Sequence, residues 1–111
     1  MEENGILKQS ELDEFIQAND AVAVYFSTEY CNVCKVLKPK IIEFLEENFP
    51  KIIFKYVDIE KSRETAGKYS IFAVPTIVFY FNGQETFRKS RNFSLSELYQ
   101  AVGRPYSLLF S

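Results

Sequence analysis

The sequence predicts an α/β domain: a central mixed β-sheet flanked by helices on both faces. Three observations predict it. Residues 21–26 (AVAVYF) and 76–81 (TIVFYF) are continuously apolar, β-branched and aromatic, as strands buried on both faces require. Between such runs lie stretches whose apolar residues recur every three or four positions, the spacing of an amphipathic helix. Asn82-Gly83 is a strong hairpin signal, so the last two strands pair antiparallel while the earlier ones alternate with helices.

The elements follow in order. After a short N-terminal strand, Ser10 is read as the N-cap of a helix with an acid in its first turn, and Leu12, Phe15 and Ile16 form its apolar stripe up to Asn19. The strand 21–26 comes next. From Cys31 to Asn48 the pattern is helical through Val33, Leu37, Ile41, Phe44 and Leu45, with a kink expected at Pro39. Residues 51–60 (KIIFKYVDIE) read as a second central strand and 63–69 as a short helix. Pro75 heads the strand 76–81, the Asn-Gly turn leads into a strand over 85–90, and Ser94 caps a last helix. That helix presents Leu95, Leu98, Tyr99 and Val102 on one face and is expected to end near Gly103.

At 111 residues the chain is read as one domain, 1–111, in which 104–111 form an additional C-terminal tail. That tail (RPYSLLF and the final serine) is apolar enough that it is expected to fold back onto the domain; its other use is a docking or dimer surface. The net charge of −2 and the scatter of Lys and Arg argue against nucleic acid as a partner, and RKSR at 88–91 is too short to change that. The N-terminal MEENGILKQSEL is acidic and lacks the apolar core of a signal peptide. The longest apolar run, 71–81, falls well short of the ~20 residues that span a bilayer. A soluble, cytoplasmic monomer without membrane contact is expected.

The only two cysteines lie in YCNVCK, two residues apart and followed by Lys35. That spacing suits a redox pair, half of a metal site, or two small inert side chains. A domain of this size needs no disulfide staple, and a bridge over so short a loop constrains the unfolded chain little. Zinc asks for four Cys or His ligands. With no histidine, only two copies sharing four thiolates would complete such a site, so no metal is expected and no cofactor is implied. The lack of histidine also removes Cys–His nucleophilic hydrolysis. Placed at the start of a helix, Cys31 meets unpaired amides and the positive end of the helix dipole, which favour a thiolate. Cys34 follows one turn later on the same face, and Lys35 adds positive charge. Cys31 is therefore read as the attacking thiolate and Cys34 as the resolving thiol.

AVPT, residues 73–76, is the second informative stretch. A proline heading a central strand forfeits a ladder hydrogen bond. A cis Val74–Pro75 bond accounts for it, turning the chain and leaving the Val74 backbone free to pair with an extended peptide. Tyr30, an aromatic beside the reactive pair, is read as a substrate contact, and Glu29 as solvated.

With these stretches in place the sequence resembles the thioredoxin family over 21–102. The carriers are YFSTEYCNVCK, Pro39 within the helix, YVDIEKSRETAGKYSIFAVPT, FYFNG and SLSEL. The resemblance implies a thioredoxin fold, with Cys31 as nucleophile, Cys34 as resolver and Pro75 as a cis-proline before a central strand, lying against both. It implies a protein-disulfide reductase or exchange activity on disulfide-containing proteins, with a flavoprotein of the thioredoxin reductase kind as electron donor. The departures are specific. Family members typically carry Trp-Cys-Gly-Pro-Cys, and Asn32 and Val33 stand where the intervening pair tunes the redox potential. The family's buried acid falls at Tyr25 and its lysine partner at Phe54, so Cys34 lacks its usual proton acceptor and a slow resolving step is expected. A small glycine of the third substrate loop falls at Arg91, which is expected to restrict the range of partners. The alternative is a thioredoxin-fold binding module or co-chaperone with little redox turnover, docking through Tyr30, Pro75 and Arg91.

Overall fold

The computed structural model describes residues 4–110; residues 1–3 and 111, at the two ends of the expected domain, lie outside it. The elements are α1 (Gln9–Ala18), β1 (Ala21–Ser27), α2 (Asn32–Asn48), β2 (Ile53–Asp58), α3 (Arg63–Lys68), β3 (Thr76–Phe81), β4 (Gln84–Ser90) and α4 (Leu95–Phe110). The sheet order is β2-β1-β3-β4. Strand β1 runs parallel to β2 and antiparallel to β3, and β3 pairs antiparallel with β4. This is the thioredoxin fold that the sequence predicts.

Side chains of a strand alternate between faces, and β1 divides the core on that basis. Ala21, Ala23 and Tyr25 pack with Cys34, Ile41, Phe44 and Leu45 of α2 and with Leu98 and Val102 of α4. Val22, Val24 and Phe26 pack with Leu12 and Ile16 of α1 and Ala66 of α3. All seven residues of β1 are buried, which explains its unbroken apolar sequence. The β3–β4 turn uses Asn82 at φ 55° and Gly83 at φ 79°, the pair of positive values that an Asn-Gly hairpin turn requires.

The N-terminal segment, the start of α1, the ends of β2 and the end of α4 differ from the sequence reading; β2 is Ile53–Asp58, shorter than the 51–60 expected. No strand precedes α1 among the described residues. Instead the Gly5 carbonyl accepts from the Asp58 amide at 2.9 Å and the Ser62 hydroxyl at 2.8 Å, and the Leu7 amide donates to Ser62 Oγ at 2.9 Å. The Asp58 amide at the end of β2 and the Ser62 side chain thus take the place of a ladder. Helix α1 starts at Gln9, before Ser10, and the Glu11 carboxylate accepts from the Lys8 amide at 2.8 Å. Helix α4 runs past Gly103 and Pro105 to Phe110. Tyr106 explains why: its ring lies 4.9 Å from Phe49 and 4.8 Å from Phe110, and its hydroxyl accepts from the Lys51 amide at 3.1 Å. The expected tail is therefore the end of a helix, held by packing that overrides two local stop signals. Its start follows the reading: Ser94 Oγ accepts from the Glu97 amide at 3.1 Å, and Glu97 accepts from the Ser94 amide at 3.0 Å.

Candidate active site

Strand β1 ends at Ser27, and a four-residue loop carries the chain to α2. The Cys31 amide closes that loop on the Thr28 carbonyl at 3.3 Å. Cys31 is the N-cap of α2, and its sulfur accepts from the Cys34 amide at 3.2 Å. That contact directs one of the helix's unpaired amides at the position where a thiolate charge would sit. Cys31 and Cys34 form a disulfide, with Cα atoms 5.2 Å apart. The two are not equivalent: Cys31 is half-buried, whereas Cys34 is 1 % exposed beneath it. Tyr30 next to the pair is 85 % exposed, and Asn32, Val33 and Lys35 in the first turn of α2 are exposed as well. Glu29 is exposed but not free, since it pairs with Lys61 at 2.6 Å.

Two further loops meet this one. The Val74–Pro75 peptide is cis; Pro75 is buried and Val74 half-buried, packed against the cluster that contains Cys34. The Pro75 carbonyl accepts from the Arg91 amide at 2.7 Å, which joins the loop before β3 to the loop after β4. Arg91 itself has φ 67°, in the left-handed region that favours glycine. The backbone at 91 thus has a glycine-like conformation, as the resemblance implies for that position, while the residue there is a long cation.

The thioredoxin family model matches residues 4–104. The chain belongs to the thioredoxin family. Among its relatives, the thioredoxin-like protein YdfQ of Bacillus subtilis is 28% identical over 107 residues, spanning 96% of this chain and 95% of that one. A thioredoxin of Buchnera aphidicola is 35% identical over 81 residues, 73% of this chain and 71% of the other. The X-ray structure of Fasciola hepatica thioredoxin superposes with a TM-score of 0.77 at 30% identity, covering 87% of this chain and 93% of that one. With its cysteine pair at disulfide distance, this thioredoxin-family chain is a thiol–disulfide oxidoreductase acting on disulfide-containing substrates.

Beneath the pair, the chain carries a phenol at the position where the resemblance implies a buried acid. Tyr25 is fully buried, and its hydroxyl donates to the Cys34 carbonyl at 3.0 Å. Burial pushes the phenol far above the ordinary tyrosine range, and neighbouring Tyr56 adds to the rise. Across the physiological range Tyr25 therefore stays protonated and acts as a donor to the backbone, with no capacity to accept a proton from Cys34. Phe54, at the place of the family's lysine, keeps its ring 6.1 Å from that of Tyr25. Where the resemblance implies a charged pair, the structure has an aromatic one.

Several residues at the site escape the sequence reading. Phe72, three residues before Pro75, is 86 % exposed. An aromatic outside any strand or helix stripe was the available signal. Val36, Lys40 and Phe93 line a groove together with Asn32, Val33 and Arg91. They are far apart in sequence, and only the fold assembles them.

Proposed function

We propose that Cys31 is the nucleophile and Cys34 the resolving thiol of a protein-disulfide reductase. The observation that carries this assignment is the asymmetry of the pair, with Cys31 capping α2 and reachable from solvent while Cys34 is buried. The Cys31 thiolate attacks one sulfur of a substrate disulfide. A Cys31–substrate disulfide forms, and the other substrate sulfur leaves as a thiolate that takes up a proton. Cys34 then loses its proton and attacks the Cys31 sulfur. The Cys31–Cys34 disulfide forms, the second substrate thiolate leaves, and two electrons have passed from the protein to the substrate.

In this reading the Val74 backbone beside Pro75 pairs with an extended substrate segment. Tyr30 is an aromatic anchor and Arg91 limits which partners fit. Asn32 and Val33 set the potential, and Lys35 favours the thiolate. The protein acts as a monomer in the cytoplasm and in the reducing direction, where thiols are kept reduced. A flavoprotein of the thioredoxin reductase kind returns the disulfide to the dithiol. Dithiothreitol-driven insulin reduction tests the assignment: wild type turns over, and Cys31→Ser loses turnover entirely. Turnover that survives in Cys31→Ser overturns the nucleophile assignment; none in wild type leaves the binding module as the reading.

A further inference from the structure

A groove of about 690 Å³ begins at the two residues between the cysteines and runs between α2 and the start of α4. Its apolar walls are Val33, Val36, Leu37 and Phe93. Val33 and Val36 are 67 % and 60 % exposed, a degree of apolar exposure that marks interaction surfaces when it is contiguous. Lys40 and Arg91 add two cations to the same lining. The one acid there, Glu97, is already engaged: it pairs with Lys89 at 3.4 Å and accepts from the Ser94 amide. Among the described residues, Lys40 and Arg91 form no ion pair. The groove therefore offers an apolar floor with net positive charge, and it starts at Asn32 and Val33, the two residues between the cysteines.

We infer that this groove selects substrate segments in which an acidic side chain lies about four residues from the target cysteine, with apolar residues between. The inference rests on the disulfide-exchange reading above. Nine residue steps lead from Cys31, the N-cap of α2, to Lys40, an axial rise of about 13 Å at 1.5 Å per residue, the length of an extended segment of about four residues. With the target cysteine at Cys31, the intervening apolar side chains lie on Val33 and Val36, and the carboxylate meets Lys40 and Arg91. Arg91 thereby becomes a specificity-determining residue: a glycine at that position would leave the groove its apolar floor but only one of its two cations.

The test uses pre-reduced full-length protein and peptides whose single cysteine is capped as a mixed disulfide with neutral 2-mercaptoethanol. Glu, Gln or Lys is placed four residues to either side of the cysteine, with Leu and Val between, and single-turnover release of the peptide thiol is followed by chromatography. The Glu peptide is expected to react about tenfold faster than the Lys peptide at low salt, with the ratio shrinking as salt rises. Moving Glu to eight residues from the cysteine removes most of the advantage, which separates docking in the groove from general attraction. Arg91→Gly and Lys40→Gln each lower the Glu-to-Lys ratio, and Arg91→Glu inverts it. Equal rates for all wild-type peptides, or a ratio that none of the three variants changes, overturn the groove assignment while hydroxyethyl disulfide is still reduced. Failure of wild type to reduce hydroxyethyl disulfide as well overturns the disulfide-exchange reading itself.

Discussion

Replacing Tyr25 with aspartate tests whether the resolving step is limited by the lack of a proton acceptor beneath Cys34. In the native chain a buried phenol, Tyr25, donates to the Cys34 carbonyl and stays protonated. A positioned general base is worth roughly 10²–10⁴-fold in a proton-transfer step. Aspartate is shorter than tyrosine and would act through water in the space the ring leaves, so the low end applies: resolution about 10- to 100-fold faster at pH 7. The pH dependence changes with it. Only the thiolate attacks, so wild-type resolution is expected to rise with pH, and the Asp variant to flatten that rise. Removing a buried ring costs about 3–5 kcal/mol, to be set against a total stability of roughly 5–15 kcal/mol for a domain. Adding Phe54→Lys supplies a cation that keeps the new carboxylate ionised. Acid-quenched mixing with a disulfide peptide, read by mass spectrometry, follows the decay of the Cys31–peptide species directly. An unchanged decay constant from pH 6 to 8, in variants whose near-ultraviolet circular dichroism shows an intact fold, would refute the reasoning.

Two further predictions concern stability. Gly5 has φ 78°, and a Cβ there would stand 2.7 Å from both the Cβ and the amide nitrogen of Asp58; Gly5→Ala is expected to lower stability by about 2 kcal/mol in urea denaturation, since left-handed strain alone costs roughly 1–2 kcal/mol. Burial raises the phenols of Tyr25 and Tyr69 and pushes that of Tyr80 up to about 12. A folded pKa above the unfolded value of 10.0 gives stability that is complete below pH 10 and is lost as pH rises beyond it. The urea midpoint is therefore expected to hold from pH 8 to 10 and then fall, with a smaller slope in Tyr25→Phe and with tyrosinate absorbance at 295 nm from these phenols appearing together with unfolding.

What the sequence reveals and what it hides divide along the range of the interactions. Strand β1 is legible because burial on both faces leaves no room for a polar alternation. The β3–β4 turn is legible because an Asn-Gly pair supplies its two positive φ values within two residues. The cysteine pair is legible because a capping position, one helical turn and a strand before it are all local. Helix α4 is not, because Gly103 and Pro105 signal a stop that only the distant Phe49 overrides through Tyr106. The N-terminal segment is not, because its partners, Asp58 and Ser62, belong to another turn. The departures at 25 and 54 are visible in the sequence, but the bond from Tyr25 to the Cys34 carbonyl is not, since it needs the register of β1 beneath α2. The groove is the extreme case: no window of sequence contains Val36, Lys40, Arg91 and Phe93 together.

The departures at Tyr25 and Arg91 act on the same intermediate from opposite sides. Tyr25 lies below the buried sulfur and withholds the acceptor that would speed its attack. Arg91 lies on a loop bonded to Pro75 and adds charge to the groove proposed to hold the substrate. A Cys31–substrate disulfide that resolves slowly is also exposed for longer to its own leaving thiolate, which can return and regenerate the starting pair. A segment held by charge and apolar contact stays in place through that interval, whereas a segment held only by the sulfur bond is lost to the reverse reaction. Slow resolution therefore magnifies differences in docking. With a fast resolving step, capture would be nearly equivalent to turnover, and docking would discriminate little. On the proposed reading, a phenol at 25 and an arginine at 91 would convert modest differences in groove affinity into differences in which substrates are reduced.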